Sequence, residues 1–225
     1  MITLLHATVI AGILLAAGTA GAEPPDAAHL GVRVEKPVGD GKLFSQGSGV
    51  LIGDGLVLTA AHVVRYNPAD PRVTVLVEGR RVVGRLALID RTTGADIALI
   101  RIERAALPAE SRNRGVTLCE RDPGIDAPVV VASMGEVTRS TIVAAPDKPA
   151  SKPGDWATTL ATGYHHGNSG GGVFDAGTGC LLGIMTTEIS GRIRPDAPFL
   201  DVTRFTPAPD LAGFVGRYRA TAGLR

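Results

Sequence analysis

The chain has 225 residues, 44% of them hydrophobic and 20% charged, and Lys+Arg 23 against Asp+Glu 22 leave a formal charge of +1. That length holds one large domain or two small ones around a shared site. The near-neutral balance offers no basis for a nucleic-acid partner, and Gly 29 with Pro 15 suits many short strands joined by turns.

In chain order, MITLLHATVIAGILLAAGTAGA carries no Asp, Glu, Lys or Arg and ends in the small residues Ala20-Gly21-Ala22. This reads as a secretory signal over 1–22 that leaves residues 23–225 and sends the chain to the periplasm or outside the cell, with no membrane attachment after cleavage. Its start has only His6 in place of Lys or Arg, and an uncleaved anchor stays open because the apolar run barely reaches spanning length.

Residues 23–29 read as a flexible lead-in. The apolar runs LGVRVEK, SGVLIG, GLVLTA, VTVLVEG, VVGRLALID and DIALIRI follow. Each has strand length, with turn residues between them, and Asp54-Gly55 looks like a hairpin turn. They predict a small antiparallel barrel over about 30–103. The polar, Arg-rich stretch after it predicts a surface linker over about 104–118. PVVVASM, STIVAA, ATTLAT, GGVFD, CLLGIMTTE and FLDVTR predict a second strand series over about 119–206. Within it, Lys148 to Asp155 holds two prolines and a glycine and reads as a mobile loop. Leu211, Phe214, Val215 and Tyr218 stand at helical spacing, predicting a C-terminal helix over about 208–220. Cys119 and Cys180 form a disulfide in an exported chain, or remain two buried thiols. No Cys or His spacing suggests zinc, and no cofactor is expected.

Three contexts carry chemistry. A serine hydroxyl needs a base to take its proton and a third group to orient that base. His62, in LTAAHV, ends an apolar strand where an imidazole can face a cleft. Asp96, in ADIAL, opens so apolar a segment that its carboxylate needs a partner, and a histidine is the obvious one. Ser169 sits in Gly167-Asn168-Ser169-Gly170-Gly171-Gly172, whose glycines let backbone N–H groups converge as an oxyanion hole requires. Singly, each has a plain structural reading: a core histidine, a turn aspartate, a loop. Their joint occurrence in this order changes that.

TAAHV, GADIALIRI and GNSGG, in the order His, Asp, Ser, resemble the chymotrypsin-like superfamily, and GSGVLIGDGLVLTAAHVV with LIDRTTGADIALIRI resembles its bacterial trypsin-like, HtrA/Deg branch. The resemblance runs from about Gly47 to Arg217. It implies an all-β fold of two six-stranded antiparallel barrels packed together with a C-terminal helix, and a serine endopeptidase acting on proteins or peptides. In that reading His62, Asp96 and Ser169 form the catalytic triad, and the N–H groups of Gly167 and Ser169 form the oxyanion hole. Met185-Thr186-Thr187-Glu188 matches the strand that pairs with extended substrate. The specificity floor falls at Gly163, where no acid stands. With Tyr164, Met185 and Thr186 lining the pocket, His166 at its rim and Glu188 at its mouth, the expectation is cleavage after small or medium apolar residues.

The likeness has departures. HtrA proteins usually continue into a PDZ domain, and none is expected here. Asn168 stands where digestive members carry the Asp that pairs with a new N-terminus, so no zymogen-style activation is expected. Two other readings stay open: a catalytically idle binding barrel, and an enzyme resembling glutamyl endopeptidases, against which Met185 stands in place of an expected histidine. Oligomeric state is not legible.

Overall fold

The computed structural model describes residues 27–67, 69–90, 94–146, 156–192 and 195–223. The signal segment over 1–22 and the loop Lys148 to Asp155 lie outside them.

Two closed antiparallel barrels form. In the first, strands β1 (Gly31–Val38), β2 (Leu43–Gly53), β3 (Leu56–Ala60), β4 (Arg72–Val77), β5 (Arg80–Ile89) and β6 (Ile97–Ile102) close in the order β1-β2-β3-β6-β5-β4. In the second, β7 (Pro128–Ser133), β8 (Glu136–Val143), β9 (Thr159–Leu160), β10 (Gly172–Asp175), β11 (Leu181–Gly191) and β12 (Leu200–Pro207) close in the order β10-β11-β12-β9-β8-β7. Tight hairpins build both. Asp54-Gly55, Glu78-Gly79 and Met134-Gly135 each hold two successive positive φ angles, the turn whose twist matches that of the flanking strands.

Side-chain alternation sets the packing. On β4, Val73, Val75 and Val77 point into the barrel while Arg72, Thr74 and Leu76 lie more exposed. β3 and β6 depart from that pattern because both their faces are buried. Val57, Ala98, Ile100 and Ile102 fill the first barrel. Leu56, Leu58, Ile97 and Leu99 face the second barrel and meet Val130, Phe174 and Ile184. Helix α3 (Ala208–Ala222) lays Leu211, Phe214 and Val215 onto that same seam, at the i, i+3, i+4 spacing of one helical face. The helix ends in Gly223 with φ 64, a left-handed cap.

Within the expected flexible lead-in over 23–29, the described residues Ala27–His29 are ordered. Ala27–Leu30 make one helical turn, α1, whose Ala27 and Leu30 are 1% and 3% exposed. Their burial in the seam between the barrels is the physical reason the segment holds a place. Among the described residues no helix is long and apolar enough to cross a membrane.

A buried lysine anchors the loop after β3. Lys36 of β1 is fully buried, and its Nζ donates to the carbonyl oxygens of Asp70 and, at 2.9 Å, of Arg72. Desolvation holds its pKa below the usual lysine value.

Cys119 and Cys180 are joined in a disulfide with Cα atoms 5.1 Å apart. The Cys119 N–H donates to Leu181 O at 2.9 Å, and the Leu181 N–H donates to Thr117 O at 2.8 Å, so the linker is stitched to the start of β11 beside the bridge. With a sequence separation of 61, the closed loop removes enough unfolded-state freedom to stabilise the fold by about 2–4 kcal/mol. The Cys119→Ala, Cys180→Ala double variant should therefore unfold at clearly lower denaturant. An unchanged midpoint in urea titration would rule out that contribution.

Candidate active site

His62 and Asp96 meet because their strands pair. In the β3–β6 ladder Ala60 lies opposite Ile97, so the residues just past that pair leave the sheet together. His62 sits in the short helix α2 (Ala61–Val64), which begins where β3 ends. Asp96 precedes β6 with φ 52, a left-handed backbone that turns the chain into the strand. The Ala61 N–H donates to Asp96 O at 2.9 Å. Thr206 Oγ1, from β12, donates to Ala95 O at 2.6 Å, so the second barrel also holds this corner.

Both carboxylate oxygens of Asp96 are occupied. Oδ1 accepts from the His62 backbone N–H at 2.9 Å, and Oδ2 lies 2.7 Å from His62 Nδ1. An ionised carboxylate only accepts, so Nδ1 is the protonated nitrogen. Nε2 is left as the acceptor in neutral imidazole. Both side chains are about one-third exposed, at 35% and 28%.

Ser169 comes from the loop entering β10. Its carbonyl accepts from the Ser48 N–H at 2.8 Å, across the two barrels. The Gly170 N–H donates to Met185 O at 2.7 Å, and the Gly171 N–H donates to Asn168 O at 2.9 Å. Gly170 is required twice over. Its φ is +88, and a Cβ there would fall 2.2 Å from Ser48 O. Among the described residues the N–H groups of Gly167 and Ser169 donate to no protein acceptor.

Two serines without a local sequence signal hold this loop. Ser48 is fully buried; its Oγ donates to Gly167 O and accepts from the Met134 N–H, each at 2.9 Å. Ser133 Oγ donates to Asn168 Oδ1 at 2.8 Å. Ser48 stands inside the GSGVLIG motif, but its partner is 119 residues away, and no local pattern announces that contact.

His62, Ser169, Gly167, Tyr164, His166, Met185, Thr186 and Glu188 all line one cleft of about 640 Å³. Asp96 lies behind His62, with which it lines an adjoining depression. Past Ile184, β11 keeps β12 on one side, whereas β10 pairs no further along the other. A register shift at Met185/Thr187 bends the strand there. The Tyr164 hydroxyl is 2.7 Å from Thr138 Oγ1, and burial raises its pKa. Glu188 Oε1 lies 3.1 Å from His165 Nδ1, bridging the two walls at the mouth.

Gly163 does not line the cleft itself. Its missing side chain is replaced by another residue: a Cβ on Gly163 would lie 1.7 Å from Oδ1 of Asp201. A carboxylate is present, delivered by β12 and invisible to a count back from Ser169.

Comparison with known proteins agrees with this geometry. The family described as a trypsin-like peptidase domain matches residues 47–184. Among solved structures, the active form of the Rv3671c protease from M. tuberculosis matches with a TM-score of 0.60 at 18% identity, covering 95% of this chain and 93% of that one. At that identity the likeness bears on the fold, which is the two-barrel chymotrypsin fold. No curated protein matches the chain. With a family match across both barrels and over His62, Asp96 and Ser169, the chain belongs to the trypsin-like peptidase family.

Proposed function

We propose that the chain is a serine endopeptidase that hydrolyses peptide bonds through an acyl-enzyme. The observation that carries this reading is the His62–Asp96 pair, both carboxylate oxygens engaged, opening on the same cleft as Ser169. Nε2 of His62 takes the proton of Ser169 as the hydroxyl attacks the scissile carbonyl. The uncommitted N–H groups of Gly167 and Ser169 receive the oxyanion. His62 then returns the proton to the leaving amine, and water repeats the sequence on the ester. Asp96 holds the tautomer and stabilises the imidazolium. Extended substrate adds a strand to the open edge of β11 at Thr186–Glu188.

Ser48 and Ser133 are positioning residues in this scheme. They hold the oxyanion loop through neutral hydrogen bonds, which supports activity without a newly cut N-terminus. The idle-barrel reading gains nothing from a site that retains all three triad groups. The glutamyl reading is disfavoured because Glu188 lines the cleft and presents like charge to an acidic side chain. The disulfide supports an oxidising compartment, periplasmic or extracellular.

Ser169→Ala should lower peptidase turnover by about four to six orders of magnitude with the fold intact. Retention of more than about a tenth of turnover on a peptide library would sink the assignment.

Acidification should abolish activity, because an imidazolium cannot accept the Ser169 proton and His62 must be neutral to act as base. The check is a pH–rate profile, and a flat one between about pH 4 and 8 excludes a histidine base.

Ser48→Ala leaves the Met134 N–H and Gly167 O without their partner and frees the oxyanion loop. We expect kcat to fall by about 10–100-fold with KM little changed. A variant whose kcat is unaltered, or whose whole loss lies in KM, would remove Ser48 from the positioning role.

A further inference from the structure

The proposed endopeptidase reading leaves open which residue precedes the cleaved bond, and the expectation of an apolar one assumed an uncharged floor. The position of Asp201 changes that.

Asp201 lies on the cleft face of β12. It stands directly opposite Ser190 in the β11–β12 ladder, and residues paired across strands project to the same face. Ser190 lines the cleft. Thr203, two residues further along β12 and hence on that same face, lines it as well. Thr203 Oγ1 accepts from the Tyr164 N–H at 2.8 Å, which laces the loop carrying Gly163 and Tyr164 against β12.

Gly163 completes the argument. Its φ is outside the left-handed region, so backbone conformation does not demand glycine there. Space favours it: a Cβ would meet the Asp201 carboxylate, which would have to turn aside to admit a larger residue. The glycine admits a charge that a neighbouring strand supplies.

That charge is uncommitted. Among the described residues no hydrogen bond or ion pair engages the Asp201 carboxylate, and the residue is solvent-exposed, beside the cleft-lining Ser190 and Thr203. Glu188, the acid that lines the cleft, faces His165. Asp201 therefore stays hydrated until a bound side chain covers it. At that point a cationic partner satisfies it with a charge-assisted hydrogen bond, whereas an apolar partner would strip its water and return nothing.

We propose that Asp201 is the specificity-determining residue, and that the cleft accepts Lys or Arg on the amino side of the cleaved bond. The Ser190 and Thr203 hydroxyls on the same wall supply further acceptors for an ammonium or guanidinium. The inference rests on the endopeptidase reading, and its test separates the two.

Peptide-library profiling of the wild type and of Asp201→Asn, with thermal melts to verify folding, reads the specificity. Labelling of wild-type Ser169 by a small uncharged fluorophosphonate reads the nucleophile independently. Calorimetry with benzamidine, a compact aromatic cation, reads the pocket without catalysis. The expected result is a wild-type profile dominated by Lys and Arg. Asp201→Asn should lose about 100-fold in kcat/KM on those substrates, and benzamidine should bind at least about tenfold more weakly to it. A wild-type profile dominated by apolar residues overturns the proposal, as does an undiminished Lys and Arg preference in Asp201→Asn. If the wild type neither labels nor cleaves, the Ser169 reading fails on its own. Benzamidine binding then decides the pocket: binding that weakens in Asp201→Asn supports it, and no binding to the wild type overturns it.

Discussion

The pairing of β3 with β6 is the constraint on which the rest depends. Once Ala60 stands opposite Ile97, His62 and Asp96 emerge side by side at one end of the ladder. The register is not free to slip. Leu56, Leu58, Ile97 and Leu99 fill the seam between barrels, while Val57, Ala98, Ile100 and Ile102 fill the first barrel. A one-residue shift would exchange the two sets and misfit both cores. The precision of a 2.7 Å contact between an imidazole and a carboxylate is thus inherited from packing that involves neither group.

The second half of the site depends on contacts between barrels. Ser169 belongs to the second barrel, yet its carbonyl is held by the Ser48 N–H, and the Ser48 hydroxyl reaches Gly167 O and the Met134 N–H. One buried hydroxyl therefore ties strand β2, the β7–β8 turn and the loop carrying Gly167 and Ser169 together. Neutral hydrogen bonds of this kind need no desolvated charge. Ser133 and Asn168 add a second link of the same type.

Much of this was legible in the sequence because the responsible patterns are local. Apolar runs of strand length mark β3, β4 and β6, and Leu211, Phe214 and Val215 mark one face of α3. His62, Asp96 and Ser169 stand in short motifs of recognisable form. What escaped reading depends on register between distant segments. Asp201 looks like an unremarkable acid in FLDVTR, and only the ladder that sets it opposite Ser190 brings it to Gly163. Ser48 looks like a small residue chosen for a crowded strand. Ala27 and Leu30 carry too short a pattern to distinguish a docked turn from a loose end, because their burial depends on a seam that exists only after both barrels close.

The disulfide has a topological consequence of its own. Cys119 and Cys180 enclose a covalent ring of chain that contains β7, β8, β9, β10 and Ser169. A single backbone cut anywhere inside that ring leaves the two pieces covalently tied, so the second barrel keeps its strands within reach of one another. Lys148 and Lys152 both lie inside the ring, whereas Arg104, Arg112 and Arg114 of the linker lie outside it. An enzyme that met its own copies at high concentration would tolerate a nick in the first set as one molecule, and would depend on the noncovalent seam alone after a nick in the second.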